Sequence, residues 1–198
     1  MKEFWNDRFS SDNYIYGVDP NVVLKDFIDR NKPGVILFPG EGEGRNIVYA
    51  AQKGWSAKAI DQSDKGKDKA LKLALKNNVN IDYSVDDILT FDYKSESFDA
   101  IALVFFHLPE ILRKKIHKHL ISLLKPNGKI FIVGFTKEQL KYSSGGPKDV
   151  NMLYSEELLY EDFRGLEVIK CVTEEMELDE GPGHQGVGSV IEFEAVKN

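Results

Sequence analysis

Between Val35 and Asn46 the chain reads VILFPGEGEGRN: an apolar, strand-like stretch runs into Gly40, Gly42 and Gly44, interleaved with Glu41 and Glu43. A glycine-rich turn after the first strand of an open α/β sheet lies where ligands bind, because the carboxyl ends of the strands face the crevice. Spacing excludes two phosphate-binding patterns. The dinucleotide fingerprint G-x-G-x-x-G puts Arg45 in its last position when counted from Gly40, and Ile47 when counted from Gly42. No G-K-[ST] follows, so the Walker pattern fails as well. Two carboxylates beside a helix N-terminus also oppose a diphosphate, which needs the positive field and the free N–H groups. Asp61 ends a second strand-like segment about 20 residues beyond the turn, the position of an acid that accepts from ribose hydroxyls. Asp87, after a third such segment, is either an acceptor for an exocyclic amine or a turn-former with Asp86. Together these residues describe a pocket for an adenosyl group without phosphates.

The elements that must position them alternate between strand-like and helix-like periods, the signature of βαβ units and a parallel sheet. Asp19-Pro20 reads as a helix start running through Val22, Val23 and Phe27. Residues 34–38 form the first strand, and a helix begins inside the glycine turn and ends near Lys53 at Gly54. Residues 55–60 form the second strand. Ser63 caps a lysine-rich helix with Leu71 and Leu75 as its apolar stripe. Residues 81–85 form the third strand, and the apolar run 98–105 reads as a fourth, buried on both faces. Pro109 opens a helix with a stripe of Leu112, Ile116, Leu120, Leu123 and Leu124, closed by Pro126-Asn127-Gly128. Residues 129–135 form the fifth strand. A loop rich in Ser, Gly and Pro, 142–149, leads to a short helix from Ser155. Two β-rich stretches, 166–178 and 189–196, then pair antiparallel across the connection DEGPGHQGVG.

With 198 residues, 42% of them hydrophobic, the chain can bury a core of its own as one compact domain. A single cysteine, Cys171, forms no internal disulfide, and residues 1–10 lack the apolar core of a signal peptide, so a reducing cytoplasm is the expected location. The longest apolar run, Ala100 to Phe106, is far short of the roughly 20 residues of a membrane span. A net charge of −6 disfavours long contact with nucleic acid. The basic stretch Arg113 to His119 reads as the wet face of a helix.

Four histidines remain. His117 and His119, on that basic helix, are expected at the surface. His107, at the carboxyl end of the fourth strand, is either a substrate-side group or a turn residue held by its own hydrogen bonds. His184, in the glycine-rich connection, is either a loop residue or an active-site group. No His and Cys spacing points to a metal site. Glu43 is read as a favourable charge in a first helical turn.

The run G-E-G-R-N, residues 42–46, with FWNDRF and YIYGVDPN near the N-terminus, VFFHLP after the fourth strand, GGPKDVNML after the fifth and EGPGHQGVGSVIEF near the end, resembles the tellurite-resistance and thiopurine relatives among the class I S-adenosylmethionine-dependent methyltransferases. The likeness covers nearly the whole chain. It implies a Rossmann-like α/β three-layer sandwich whose seven-stranded, mostly parallel sheet carries an antiparallel C-terminal strand. It also implies a single methyltransferase domain over residues 1–198, with residues 1–30 as a lid and 136–155 as a substrate-side loop. S-adenosyl-L-methionine is the implied cofactor, held by Gly40, Glu41, Gly42, Gly44, Asn46, Asp61, Gln62, Asp87 and Ile88, with Arg8 and Tyr16 from a lid that also carries Trp5 and Tyr14. The acid usual at the end of the first strand is replaced here by Phe38, and Glu41 is the candidate to take its place. The implied reaction is methyl transfer to a small-molecule thiol, chalcogen oxyanion or similar nucleophile, with His107 and His184 as candidate bases. Transfer to nucleic acid or protein, and cofactor binding without catalysis, are the alternatives.

Overall fold

The computed structural model describes residues 2–198; Met1, the first residue of the expected lid, lies outside the described residues. Seven strands form one sheet: β1 Val35–Pro39, β2 Ser56–Asp61, β3 Asp82–Val85, β4 Phe98–Val104, β5 Leu124–Phe135, β6 Glu167–Asp179 and β7 Gln185–Val196. Their order is β3-β2-β1-β4-β5-β7-β6. All neighbours run parallel except β7, which is antiparallel to both β5 and β6. Among the described residues six α-helices accompany it: α1 Lys2–Arg8, α2 Val22–Arg30, α3 Arg45–Gln52, α4 Asp64–Lys76, α5 Glu110–Leu123 and α6 Glu156–Asp162. The strand order reverses between β1 and β4, which opens a crevice at their carboxyl ends.

Side chains alternate across the strands and build two cores. Ile36, Phe38, Ala59 and Phe131 face α2, α3 and α4, whereas Leu37, Ile101, Leu103 and Ile132 face α5 and α6. The result is the expected three-layer α/β sandwich. On α5 Ile116, Leu120 and Leu123 of the expected stripe are buried as its period requires, Leu112 is half-buried, and Leu124 already belongs to β5, because the helix ends at Leu123 rather than at 126–128. Among the described residues no helix is long and apolar enough to cross a membrane.

Four local expectations are corrected. The cap of α2 is Asn21 rather than Asp19: its Oδ1 accepts from the N–H groups of Val23 and Leu24 at 3.1 and 3.0 Å. On α4, Leu71 and Leu75 point outward, and Lys69, Ala70, Leu73 and Ala74 are buried instead. The cause is the close approach of α4 to the glycine turn. A Cβ at Gly66 would lie 2.7 Å from the carbonyl oxygen of Gly42, and one at Gly44 would collide with Ala70. Only small residues fit where that face meets the turn, at Gly66 and Ala70, so its buried side reads as weakly apolar. The connection between β6 and β7 is five residues, 180–184, because Gly186 and Gly188 pair within the ladder opposite Leu178 and Met176. The basic helix is not wholly wet either. Arg113 and His117 are buried, and both donate to Asp162 Oδ2 of α6 at 2.8 Å.

The N-terminal segment lies on the glycine turn through Glu43. This carboxylate is buried, pairs with Lys69 Nζ at 2.7 Å, and accepts from the backbone N–H groups of Ile15 at 2.9 Å and Tyr16 at 3.3 Å. Lys69 Nζ also donates to the carbonyl of Asn13 at 2.7 Å. Glu43 is therefore the anchor of residues 13–16 rather than a solvated charge in a helical turn. Removing one partner of a buried pair strands the other, at a cost of roughly 3–5 kcal/mol. Glu43→Ala is expected to lose stability of that order in urea unfolding and to become protease-sensitive around residues 10–17. Wild-type protection of that segment in the variant would refute the anchoring role.

Candidate active site

The floor of the crevice is the turn between β1 and α3. Gly40, Gly42 and Gly44 all have positive φ, at 66°, 64° and 93°, which lets the backbone fold back twice within five residues. The turn is held by acids. Glu41 Oε1 accepts from the N–H groups of Asn46 and Ile47, each at 2.9 Å, and so caps α3 from inside the turn. Burial pushes the Glu41 carboxyl up to about 7, against the pull of those two N–H groups and of Arg45. Asp61, at the end of β2, accepts from Gly42 N–H at 3.0 Å and from Ser63 N–H at 2.8 Å. Burial raises its pKa, with the same backbone donors acting against the shift. Tyr83 closes the underside by donating to the Gly42 carbonyl at 2.7 Å.

Above this floor is a cavity of about 440 Å³. The structure brings Gly40, Glu41, Gly42, Asn46, Asp61, Gln62, Asp87, Ile88, Arg8, Tyr16, His107 and His184 to its wall. It does not bring Gly44, which starts α3 and packs on Ala70. Asp87 sits at the exposed rim. Its Oδ1 accepts from Leu89 N–H at 2.9 Å and its own N–H donates to Asp86 at 2.7 Å, so the turn-forming reading of this residue is realised at the cavity edge. Arg8 Nε donates to Tyr16 Oη at 2.9 Å, and the guanidinium lies over that ring. The Asn46 carboxamide turns away toward α2, accepting from Asn21 N–H at 3.0 Å.

The other end of the cavity is aromatic. Phe105, at the end of β4, has a φ of 50°, a strained value for a bulky residue, and its ring packs on Phe135 and His184 with centroids 4.6 and 4.4 Å apart. Phe106 covers Gly40, leaving no room there for a Cβ. His107 Nδ1 donates to the Met152 carbonyl at 2.9 Å while Nε2 accepts from Phe135 N–H at 3.1 Å. Both of its nitrogens are engaged by backbone, and the reading of His107 as a base gives way to that of a held turn residue. His184 differs. Nδ1 faces Glu180 Oε2 at 3.3 Å, and Nε2 has no hydrogen-bond partner among the described residues. Nor is Nε2 one of the sealed, unpartnered atoms, which are Trp55 Nε1, His117 Nε2 and His119 Nε2.

Sequence reasoning missed three contributors. Arg45 donates to the Tyr16 carbonyl at 2.9 Å and to Glu180 Oε2 at 2.8 Å, and Asn21 Nδ2 donates to Glu180 Oε1 at 2.6 Å. The available signal was an acid four residues before His184 and an arginine opening the helix after the turn. Neither signal names its partner.

Residues 36–128, from β1 into β5, match the profile of a family described as a methyltransferase domain. A sequence search finds no matching curated protein. Among solved structures, one described by the conversion of a disulfide bond into a thioacetal group during echinomycin biosynthesis superposes with a TM-score of 0.84 at 13% identity, covering 100% of this chain and 92% of that one. TehB from Haemophilus influenzae superposes with a TM-score of 0.73 at 18% identity, over 100% of this chain and 67% of that one. Magnesium protoporphyrin IX methyltransferase from Synechocystis PCC 6803, with bound S-adenosylhomocysteine, gives 0.71 at 16% identity, over 100% and 97%. Residues 36–128 thus match a methyltransferase domain, and the whole chain has the fold of these solved structures.

Proposed function

We propose that the chain transfers the methyl group of S-adenosylmethionine to a small, soft nucleophile, a thiol or chalcogen oxyanion, held in the aromatic end of the cavity. The observation that carries this is the Glu41 cap. The N–H groups that would receive a diphosphate at the start of α3 are occupied by a carboxylate, which suits a phosphate-free, cationic ligand and opposes a dinucleotide. Gly40, Glu41 and Gly42 are the proposed contacts for the methionine end, Asp61 and Gln62 for the ribose, and Asp87 and Ile88 for the adenine. Arg8 and Tyr16 close over it from residues 1–30, the proposed lid. When bound, the cofactor supplies a methyl group already activated on a sulfonium. The protein then has to align the nucleophile and exclude water, an effect on the order of 7–11 kcal/mol.

Phe105, Phe106, Phe135 and Met152 line the acceptor end, and their apolar, polarizable surface suits a weakly hydrated nucleophile. The structural relative described by disulfide-to-thioacetal conversion supports chemistry at sulfur. His184 is the proposed base for acceptors that arrive protonated, since His107 has no free nitrogen.

Calorimetric titration with S-adenosylmethionine, S-adenosylhomocysteine and NADH tests the cofactor site. The first two are expected to bind, roughly 10- to 100-fold more weakly to Asp61→Asn through loss of a charge-assisted hydrogen bond, and NADH not at all. Tight NADH binding, or no binding of the first two, would overturn the reading. The division of labour between the histidines has its own signature. Burial lowers the His107 pKa to about 4, with the Met152 carbonyl opposing and His184 adding to the shift. The unfolded chain takes up that proton near pH 6.5, so acidification from 6.5 to 4 favours unfolding, by about 3 kcal/mol at the lower end. Thermal melts should show this loss in the wild type and a smaller one in His107→Gln, with S-adenosylhomocysteine binding retained. Equal slopes in the two proteins would contradict the assignment.

A further inference from the structure

Glu180 and His184 bracket the five-residue turn between β6 and β7, and backbone bonds fix the turn. Glu180 N–H donates to the His184 carbonyl at 2.9 Å, His184 N–H to the Gly181 carbonyl at 3.1 Å, and Gly183 N–H to the Ile15 carbonyl at 2.8 Å. The two side chains are thereby held side by side. The Glu180 carboxylate is itself immobilised by donors from two other elements: Asn21, the cap of α2, on Oε1, and Arg45 of α3 on Oε2. Burial alone would raise its pKa, but the His184 bond and the Arg45 charge outweigh it and hold the group at about 2. It is an ionised, acceptor-only group at every working pH. The nitrogen facing it must carry a proton, so the neutral ring presents a bare Nε2.

The ring has little freedom to turn. It packs on Tyr16 and Phe135 with centroids 4.6 and 5.2 Å away and on Phe105 from a third side, while a Cβ at Gly145 would lie 2.7 Å from its Cδ2. The charged and titratable groups around it come from five elements: Glu180 in its own turn, Arg45 on α3, Arg8 on α1, Tyr16 in the N-terminal segment and His107 after β4. Burial lowers the His184 pKa, Glu180 opposes this, and Arg45 and Arg8 add to it.

We propose that Glu180 is a positioning residue that locks His184 in the Nδ1–H tautomer, aiming the Nε2 lone pair at an acceptor that carries a proton on its reacting atom. This rests on the methyl-transfer reading above and narrows it: the acceptor class is a protonated X–H nucleophile, such as a neutral thiol, rather than a bare anion. In the step, a lone pair of X forms the new bond to the methyl carbon. The methyl–sulfur bond breaks, and its electron pair stays on sulfur. The proton leaves X for His184 Nε2, and the resulting imidazolium is held against the Glu180 carboxylate until the proton passes to water. The arrangement follows the general rule that a base works best when a third group fixes its orientation.

The test is long-range 1H–15N correlation spectroscopy of the full chain with 15N-labelled histidine rings, saturated with S-adenosylhomocysteine. In the wild type at pH 7.5, His184 should show the Nδ1–H pattern alone. In Glu180→Gln it should shift to a mixture of tautomers, with its titration lowered by loss of the neighbouring charge. Glu180→Asp, which keeps the charge on a shorter stem, should restore most of the Nδ1–H population and serves if the first variant folds poorly. An Nε2–H pattern in the wild type, or a His184 spectrum unmoved by Glu180→Gln, would overturn the proposal. Calorimetry on the same samples separates this from failure of the underlying reading: a wild type that does not bind S-adenosylhomocysteine refutes the cofactor site whatever the tautomer.

Discussion

The Glu41 carboxyl on the N–H groups of Asn46 and Ile47 is the interaction on which the glycine-turn end of the cavity depends. A helix N-terminus carries a partial positive charge and unsatisfied donors, and a turn that exposes them binds phosphate. Here the chain supplies the anion itself. The turn can then be tight, since its donors are satisfied without ligand, and Asp61, Asp86 and Asp87 line the same wall.

That tightness propagates outward by sterics. With three glycines at positive φ the turn sits close enough to α4 that Gly66 and Ala70 are the largest groups its face tolerates. Leu73 and Ala74 continue the buried face one turn on, and Leu71 and Leu75 are rotated to the surface. The same helix supplies Lys69, the counter-ion of Glu43, so one contact between α4 and the turn sets both the packing and the anchoring of residues 13–16.

This explains what the sequence reveals and what it hides. The succession of strands and helices follows from alternating periodicity, and the ends of β1, β2 and β4 can be read within a residue or two because their apolar runs stop at glycine, acid and aromatic residues. The glycine turn and Asp61 are legible because ligand and backbone geometry impose spacing on neighbours in sequence. The apolar face of α4 misleads because close approach, rather than hydrophobicity, selects its residues. His117 looks solvated among lysines, yet Asp162, 45 residues away, draws it inside with Arg113. The partners of Glu180 lie 159 and 135 residues away, on α2 and α3. Pairings of that reach leave no local pattern.

The two ends of the cavity are consequently built on different principles. The glycine-turn end is assembled largely within one βα unit and the tip of the next strand, so its geometry is fixed by short backbone connections. The aromatic end is assembled from the N-terminal segment, the end of β4, the loop after β5 and the turn between β6 and β7, which meet around Phe105, Phe135 and His184. Phe105 is held at a strained φ of 50° in the middle of that meeting, and such a conformation persists only where surrounding contacts over-determine it. Arg45 bridges the ends, since one guanidinium contacts both the Tyr16 carbonyl and Glu180. A displacement of the N-terminal segment at the glycine turn therefore acts on Glu180, and through it on the His184 ring.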